Sequence, residues 1–150
     1  MPPRAIGDLS ESLEDYLEVI SELLAEQPVA RVKAIAERKG VSQASVTGAL
    51  KRLAREGLVR YRAREYVELT PEGAELGRRL RHRHALLSHF LVDVLRVAPE
   101  VAEDDACGLE HHLSRATAER LSALFDYLSS DLKTAVAARR AFRRRIARPR

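Results

Sequence analysis

Cys107, Glu110 and His111 stand at positions i, i+3 and i+4 of the stretch EDDACGLEHHLS, Glu103 to Ser114. A thiol, a carboxylate and an imidazole are soft, hard and borderline metal ligands, and on a helix this spacing turns all three to one face. His112 follows directly, so it points elsewhere and reads as structural. Asp15 and Glu18 repeat the i, i+3 spacing in an earlier helical stretch, and His84 lies in a third. If the three segments converge, they assemble up to three carboxylates, two imidazoles and one thiol. Such a group repels itself when empty, and a divalent cation would remove the repulsion and cross-link three helices. Each residue also has an ordinary reading. A lone buried cysteine is usually a small hydrophobe, Asp15 and Glu18 would line a solvated helix face, and His84 would be a surface residue. The phrase CGLEH further has the shape of a distorted His-x-x-Glu-His protease motif, with cysteine in place of the first histidine.

The elements that must carry these groups follow from the apolar spacing. LSESLEDYLEVISELLAEQ places Leu13, Tyr16, Leu17, Ile20, Leu23 and Leu24 at helical intervals, with Asp8 or Ser10 as cap and Pro28 as the stop. ARVKAIAERKG gives a short helix with Val32, Ile35 and Ala36 inward and Gly40 at its end. SQASVTGALKRLAREG gives another, capped by Ser42, lined by Val46, Leu50 and Leu53 and ended by Gly57. Two short helices on a tight turn read as helix-turn-helix. LVRYRAREYVELT then alternates, Val59, Tyr61, Tyr66 and Leu69 among Arg60, Arg62, Arg64 and Glu68, which predicts a hairpin with a basic tip. A helix-turn-helix followed by a hairpin is a winged helix. Thr70 and Pro71 open a long helix running to about Arg96, with Pro99 closing the segment. Further helices are expected over roughly 104–113 and 117–128, the latter carrying Ala118, Leu121, Leu124, Phe125 and Leu128. Ser130 is expected to cap a last helix. The fold class is mainly α, a winged helix-turn-helix at 1–72 and a helical region at 73–150.

Composition narrows the class. At 150 residues, 45% hydrophobic and 32% charged, the chain suits one ordinary globular domain or two very small ones. No apolar run approaches the ~18–20 residues of a membrane span, and MPPRAIGDLSESLEDY lacks the apolar core of a secretory signal. One cysteine cannot form an internal disulfide, which fits a reducing, cytoplasmic setting. Acidic residues cluster at 8–26 and 100–110, and arginine dominates 31–64 and the last dozen residues, which predicts separate acidic and basic surfaces.

The basic surface suits DNA. Cations near phosphates supply affinity that does not depend on sequence, and small polar side chains at the start of a recognition helix read bases. Ser42, Gln43, Ala44, Ser45 and Thr47 occupy that position. Gln43 fits adenine bidentately, and Ala44 fits a thymine methyl. Lys51 and Arg52 suit phosphates further along, while Arg31, Arg62 and Arg64 suit the flanking backbone or minor groove. The competing reading is a winged helix that binds protein. Thr47 as an internal helix bond and Lys51 as a solvated cation are its counterparts residue by residue.

Taken together the motifs resemble the diphtheria-toxin-repressor family of metal-dependent transcription regulators, above all its short manganese-transport-regulator branch. The resemblance rests on LEDYLEVI, ARVKAIAERKGVSQASVTGALKRLAREGLV, LTPEG at Leu69 to Gly73, Arg83 to Leu87, and EHHLS at Glu110 to Ser114, and covers about residues 8 to 130 in order. It implies a homodimer with a helical dimerisation core, and metal ligands at Asp15, Glu18, His84, Cys107, Glu110 and His111. Cys107 matches the iron-responsive branch, whereas Asp15 matches the manganese branch. An ancillary site of the iron branch uses the long-helix histidine and a residue four before the cysteine, here Glu103. The resemblance thus implies two sites per subunit, one around Asp15, Cys107, Glu110 and His111, the other around His84 with Glu103 or Glu18. Oxygen ligands favour Mn(II), a thiolate favours later metals, Fe(II) comes next, and Zn(II), Co(II) or Cd(II) would bind in vitro. The SH3-like domain of longer members is expected to be missing.

The function so implied is metal-gated repression of metal-uptake genes at a palindromic double-stranded operator, without membrane association or enzymatic activity. Its rivals are a winged-helix regulator of a non-metal ligand and a metallohydrolase. The terminal RRAFRRRIARPR is expected either to add non-specific DNA affinity, to cap the dimer, or to be a solvated helix.

Overall fold

Leu17 and Ile20 are fully buried on α1 (Glu11–Glu26), and Leu13, Tyr16 and Leu23 complete its inward stripe. The computed structural model describes residues 3–62 and 66–147, so Arg64 lies outside the described residues. Ser10 holds the cap position of α1 without a side-chain cap bond, and Glu11 and Glu14 supply negative charge to its first turn. α2 (Val32–Lys39) ends on Gly40, which takes the left-handed conformation (φ 69°) that a helix stop favours. α3 (Gln43–Arg55) begins with a true cap: the Ser42 hydroxyl accepts from the Ser45 amide at 3.1 Å. Arg38 on α2 donates to Glu26 on α1 at 2.6 Å, and that hydrogen bond holds the Glu26 carboxyl below its usual range.

The wing is shorter than its sequence pattern predicts. β1 (Val59–Arg60) and β2 (Glu68–Leu69) pair antiparallel, Val59 opposite Leu69 and Arg60 opposite Glu68. Tyr66 is 49% exposed, while Val67 is buried. The cause is a bridge outside the hairpin, in which the Val67 amide donates to Ala30 O at 2.8 Å and turns Val67 inward. Thr70 caps α4 (Pro71–His89) as expected, its hydroxyl accepting from Gly73 N and donating to Gly57 O. Any side chain at Gly73 would run into the Leu58 backbone, a Cβ there lying 1.9 Å from Leu58 O.

The chain forms two compact units, Met1–His82 and Arg83–Arg150, with the boundary inside α4. The first unit reaches ten residues beyond 72 because Leu76 and Leu80, both fully buried, join the core of Leu17, Ile20, Ile35, Leu50, Leu53 and Leu58.

In the second unit α4 passes into a π-helical turn, Phe90–Val94, in which Leu95 N donates to Phe90 O. Arg96 follows with a positive φ of 62°. Pro99 opens α5 (Pro99–Glu110) instead of closing the segment before it, and the helix starts five residues before the expected 104. The proline ring already has helical φ and has no N–H to lose at the first position. α6 (Arg115–Ser129) is capped by Ser114. Ser130 does not cap the last helix: it ends α6, donating to Tyr127 O at 2.7 Å, and α7 (Lys133–Ile146) starts after Leu132. Leu87, Leu91, Ala102 and Ala106 form this unit's core, and Phe90 meets Phe125 edge-on at 6.4 Å. α6 buries none of its residues, and Leu124, Tyr127, Leu132, Phe142 and Ile146 are exposed. Among the described residues no helix is long and apolar enough to cross a membrane.

Candidate metal centre and nucleic-acid interface

In the second unit, α5 presents Glu103, Cys107 and Glu110 at i, i+4 and i+7, the period of one helix face. His111 follows at the C-cap, still in helical conformation. His84 on α4 reaches this stripe from both ring nitrogens. Nδ1 lies 2.8 Å from Glu110 Oε2, and Nε2 lies 2.9 Å from Glu103 Oε1. The ring thus bridges Glu103 and Glu110, with the donor and acceptor roles of its two nitrogens set by the tautomer.

Glu110 is fully buried. Its Oε1 has no hydrogen-bond partner among the described residues. His111 Nε2 lies 3.3 Å from that oxygen, within ion-pair range, yet the pair does not have hydrogen-bond geometry. A buried carboxylate oxygen without a donor is costly and calls for positive charge. Two other groups differ from Glu110 in exposure: the Glu103 side chain is largely exposed, and Cys107 is exposed and in no disulfide among the described residues. His112 is exposed.

The end of α5 is held by a residue that the sequence pattern did not single out as functional. Arg83 Nη1 donates to Glu110 O at 3.0 Å and to Leu113 O at 2.7 Å. The last carbonyls of a helix lack partners within it, and this guanidinium supplies them while fixing the segment that bears Glu110 and His111. Arginine is ordinarily a surface residue, so its position beside His84 was the one available signal.

In the first unit, Asp15 and Glu18 share a face of α1. Glu18 is buried, and the half-buried Asp15 accepts from Lys39 Nζ at 3.1 Å. Lys39 also stands over the Tyr16 ring at 4.9 Å. Glu14 is a further buried acid on α1, and its carboxylate accepts from the Gly7 amide.

Of the residues expected at DNA, Gln43, Ala44, Lys51, Arg52 and Arg62 are exposed, and Thr47 is half-buried. The Ser42 and Ser45 hydroxyls lie 2.9 Å apart at the helix cap, which leaves Gln43 as the long polar side chain at the start of α3. Arg31 is exposed, with its guanidinium 5.8 Å from the centre of the Tyr66 ring.

Comparison with known proteins agrees with this division. Residues 8–67 match the model of the iron dependent repressor N-terminal DNA binding domain, and residues 70–135 that of the iron dependent repressor metal binding and dimerisation domain. The transcriptional regulator MntR of Salmonella typhimurium (strain LT2) is 44% identical over 113 residues, covering 75% of this chain and 71% of that protein. The chain belongs to the iron-dependent repressor family. The HTH-type regulator MntR of Oceanobacillus iheyensis is 38% identical over 120 residues, 80% of this chain and 81% of its own. The structure of the manganese regulator SloR superposes with a TM-score of 0.68 at 33% identity, covering 77% of this chain. This chain spans 54% of SloR's length, about half. With membership of the iron-dependent repressor family, the protease-like reading of CGLEH is withdrawn, since these proteins are transcription regulators and not enzymes.

Proposed function

We infer that this protein is a metal-dependent, DNA-binding transcriptional repressor that acts as a homodimer. The observation that carries the metal half is the buried Glu110 carboxylate, with one oxygen on His84 and the other without a hydrogen bond. That orphaned oxygen, amid imidazole, carboxylate and thiol groups, fits a divalent cation. We assign ligation to Asp15, Glu18, His84, Glu103, Cys107, Glu110 and His111, in two sites per subunit. One comprises Asp15, Cys107, Glu110 and His111, the other His84 with Glu103 or Glu18. The bound cation supplies positive charge that offsets the carboxylates and ties their helices together.

The chain's own groups set the terms of binding. A ligating imidazole or thiol must be deprotonated, and Asp15 has to leave Lys39. Binding therefore releases protons and tightens as pH rises. The oxygen-rich set and the manganese regulators it resembles favour Mn(II). Cys107 makes Fe(II) the next choice, and Zn(II), Co(II) and Cd(II) bind in vitro through affinity order and thiolate softness.

On the DNA side, Gln43, Ala44, Ser45 and Thr47 face base edges behind the Ser42 cap, and Lys51, Arg52, Arg31, Arg62 and Arg64 take phosphates. A twofold dimer matches a palindromic duplex operator. The exposed apolar face of α6 is assigned to the second copy. Operators of metal-uptake genes are the proposed targets and the cytoplasm the proposed location. An allosteric coupling of about 1–3 kcal/mol per site is enough to switch occupancy. The test is operator affinity titrated against buffered Mn(II), Fe(II) and Zn(II). Equal affinity in chelator and in metal rejects the reading, as does an unchanged metal response in both Asp15→Ala and Glu110→Ala.

A further inference from the structure

The arginine-rich end is not absorbed by the metal site or the winged helix. α7 runs Lys133–Ile146 and carries Lys133, Arg139, Arg140, Arg143, Arg144 and Arg145 without one acidic residue. Most of it lies beyond residue 135, where the match to the dimerisation domain ends. Several arginines elsewhere in the chain are ion-paired: Arg4 with Glu56, Arg38 with Glu26, Arg78 with Glu75 and Arg115 with Glu119. Arg140, Arg143, Arg144 and Arg145 have no such partner among the described residues, and all four are exposed.

The helix is also built as a platform. Ala135 is fully buried, and Arg139 donates to Leu128 O and, at 2.9 Å, to Ser130 O, so α7 is tied to the end of α6. Phe142 lies at i+7 from Ala135, on the same face. Lys133, Arg140 and Arg144, at i, i+7 and i+11, form a stripe on the opposite face, about 16 Å long at the helical rise. An open cleft of about 440 Å³ follows this stripe, with Val136 and Ala137 as its short-chained floor. Asp131 stands at one end of the cleft, next to the N-terminus of α7, where a negative charge is favourable.

We propose that the Lys133–Arg140–Arg144 face of α7 is a second DNA-contacting surface, which grips duplex phosphates without reading sequence. Several unpaired cations in a row, on a helix anchored from behind, match the regular charge of a duplex, about one per 1.7 Å of axis. A single small anion would need only one convergent pocket. DNA is favoured over an anionic membrane because the face of α7 opposite the stripe is held against the end of α6 through buried Ala135 and Arg139, whereas a membrane-surface helix leaves that face to lipid. The proposal rests on the DNA-binding reading only for the choice of polyanion.

The test uses the full chain loaded with Mn(II) and a duplex lacking any operator. For K133Q/R140Q/R144Q, affinity at about 50 mM salt falls roughly tenfold or more, and the slope of log affinity against log salt shrinks by up to about 2.7, or about 0.9 per contact. R140K/R144K retains both. An unchanged slope in the triple variant overturns the proposal. Phenylglyoxal labelling of the unmodified protein gives a readout that does not depend on a variant folding. A non-operator duplex should slow modification of Arg140 and Arg144, and equal rates overturn the proposal too. Protection by phosphatidylserine vesicles without protection by the duplex would assign the face to membrane instead. The operator reading fails separately: Gln43→Ala should lower preference for operator over random duplex and leave the non-operator slope unchanged.

Discussion

His84 Nδ1 lies 2.8 Å from Glu110 Oε2, and this contact joins the one histidine that α4 contributes to the candidate site to the one fully buried acid of α5. The other Glu110 oxygen is buried without a hydrogen bond among the described residues. A carboxylate placed so is half satisfied, and its bare oxygen suits a positive charge nearby. Glu110→Gln keeps the shape and removes the charge. Its amide can still hydrogen-bond to the His84 ring, so the helical fold should survive by circular dichroism. Mn(II) affinity by calorimetry should drop more than about 100-fold, beyond the 10–100-fold usual for an outer partner. A variant that binds Mn(II) as tightly as the parent protein would remove Glu110 from the ligand set.

Arg83 acts on the same residues through the backbone. Its guanidinium bridges the carbonyls of Glu110 and Leu113, so it positions the end of α5 without touching a carboxylate in that contact. Arg83→Met keeps much of the side chain's bulk and loses both donors. Metal affinity should weaken about 10–100-fold, as for other residues that orient ligands. Arg83→Lys, with one donor group able to reach one carbonyl, should recover part of it. A purely structural role would lower the melting temperature in both variants and leave the affinity of the folded fraction unchanged. Calorimetry well below the melting temperature separates the two.

The residues that were legible in the sequence share a reason. α1 and α3 have apolar stripes at helical spacing, and Ser42, Gly40, Thr70 and Pro71 act locally, within one turn. The spacing of Cys107, Glu110 and His111 predicts a helix there, and α5 carries Cys107 and Glu110 with His111 at its C-cap. The misread features depend on a contact distant in sequence or on local choices that have no repeating pattern. Val67 turns inward because Ala30 accepts its amide proton, and no pattern within the hairpin contains Ala30. Pro99 can end one segment or begin the next, and the π-helical turn before it, with Arg96 at positive φ, has no repeating signature. Ser130 lies between two helices and serves the earlier one.

The Arg31 and Tyr66 pair follows from that inward turn of Val67, which leaves Tyr66 outward beneath the Arg31 guanidinium at 5.8 Å. An exposed cation–π contact is worth about 0.5–1 kcal/mol, enough to restrict where Arg31 points. Arg31→Ala should lower operator affinity and reduce the salt slope by about 0.9, the signature of one lost phosphate contact. Tyr66→Ala should weaken binding by a smaller factor, about two- to fivefold, while Tyr66→Phe preserves it. Fluorescence anisotropy over a salt series measures both. A Tyr66→Ala loss that persists in the Arg31→Ala background would mean that the ring acts independently of the guanidinium.

Gln43 provides the sharpest test of base reading. The neighbouring Ser42 and Ser45 hydroxyls are engaged at the cap, and Ala44 has no polar group, so Gln43 is the exposed side chain at the start of α3 with both a donor and an acceptor to offer. A glutamine amide pairs bidentately with adenine N6 and N7, and a good pair of this kind discriminates by about 1–3 kcal/mol. Gln43→Ala should therefore cut operator affinity by roughly 5- to 150-fold. The salt slope should stay the same, because no charge is removed. The variant should also become indifferent to substitution of one base pair in each half-site while keeping the parent's response at the others. Selection from a randomised duplex pool, run on both proteins in Mn(II), identifies that base pair. If the two proteins select the same sequence with the same stringency, Gln43 does not read bases.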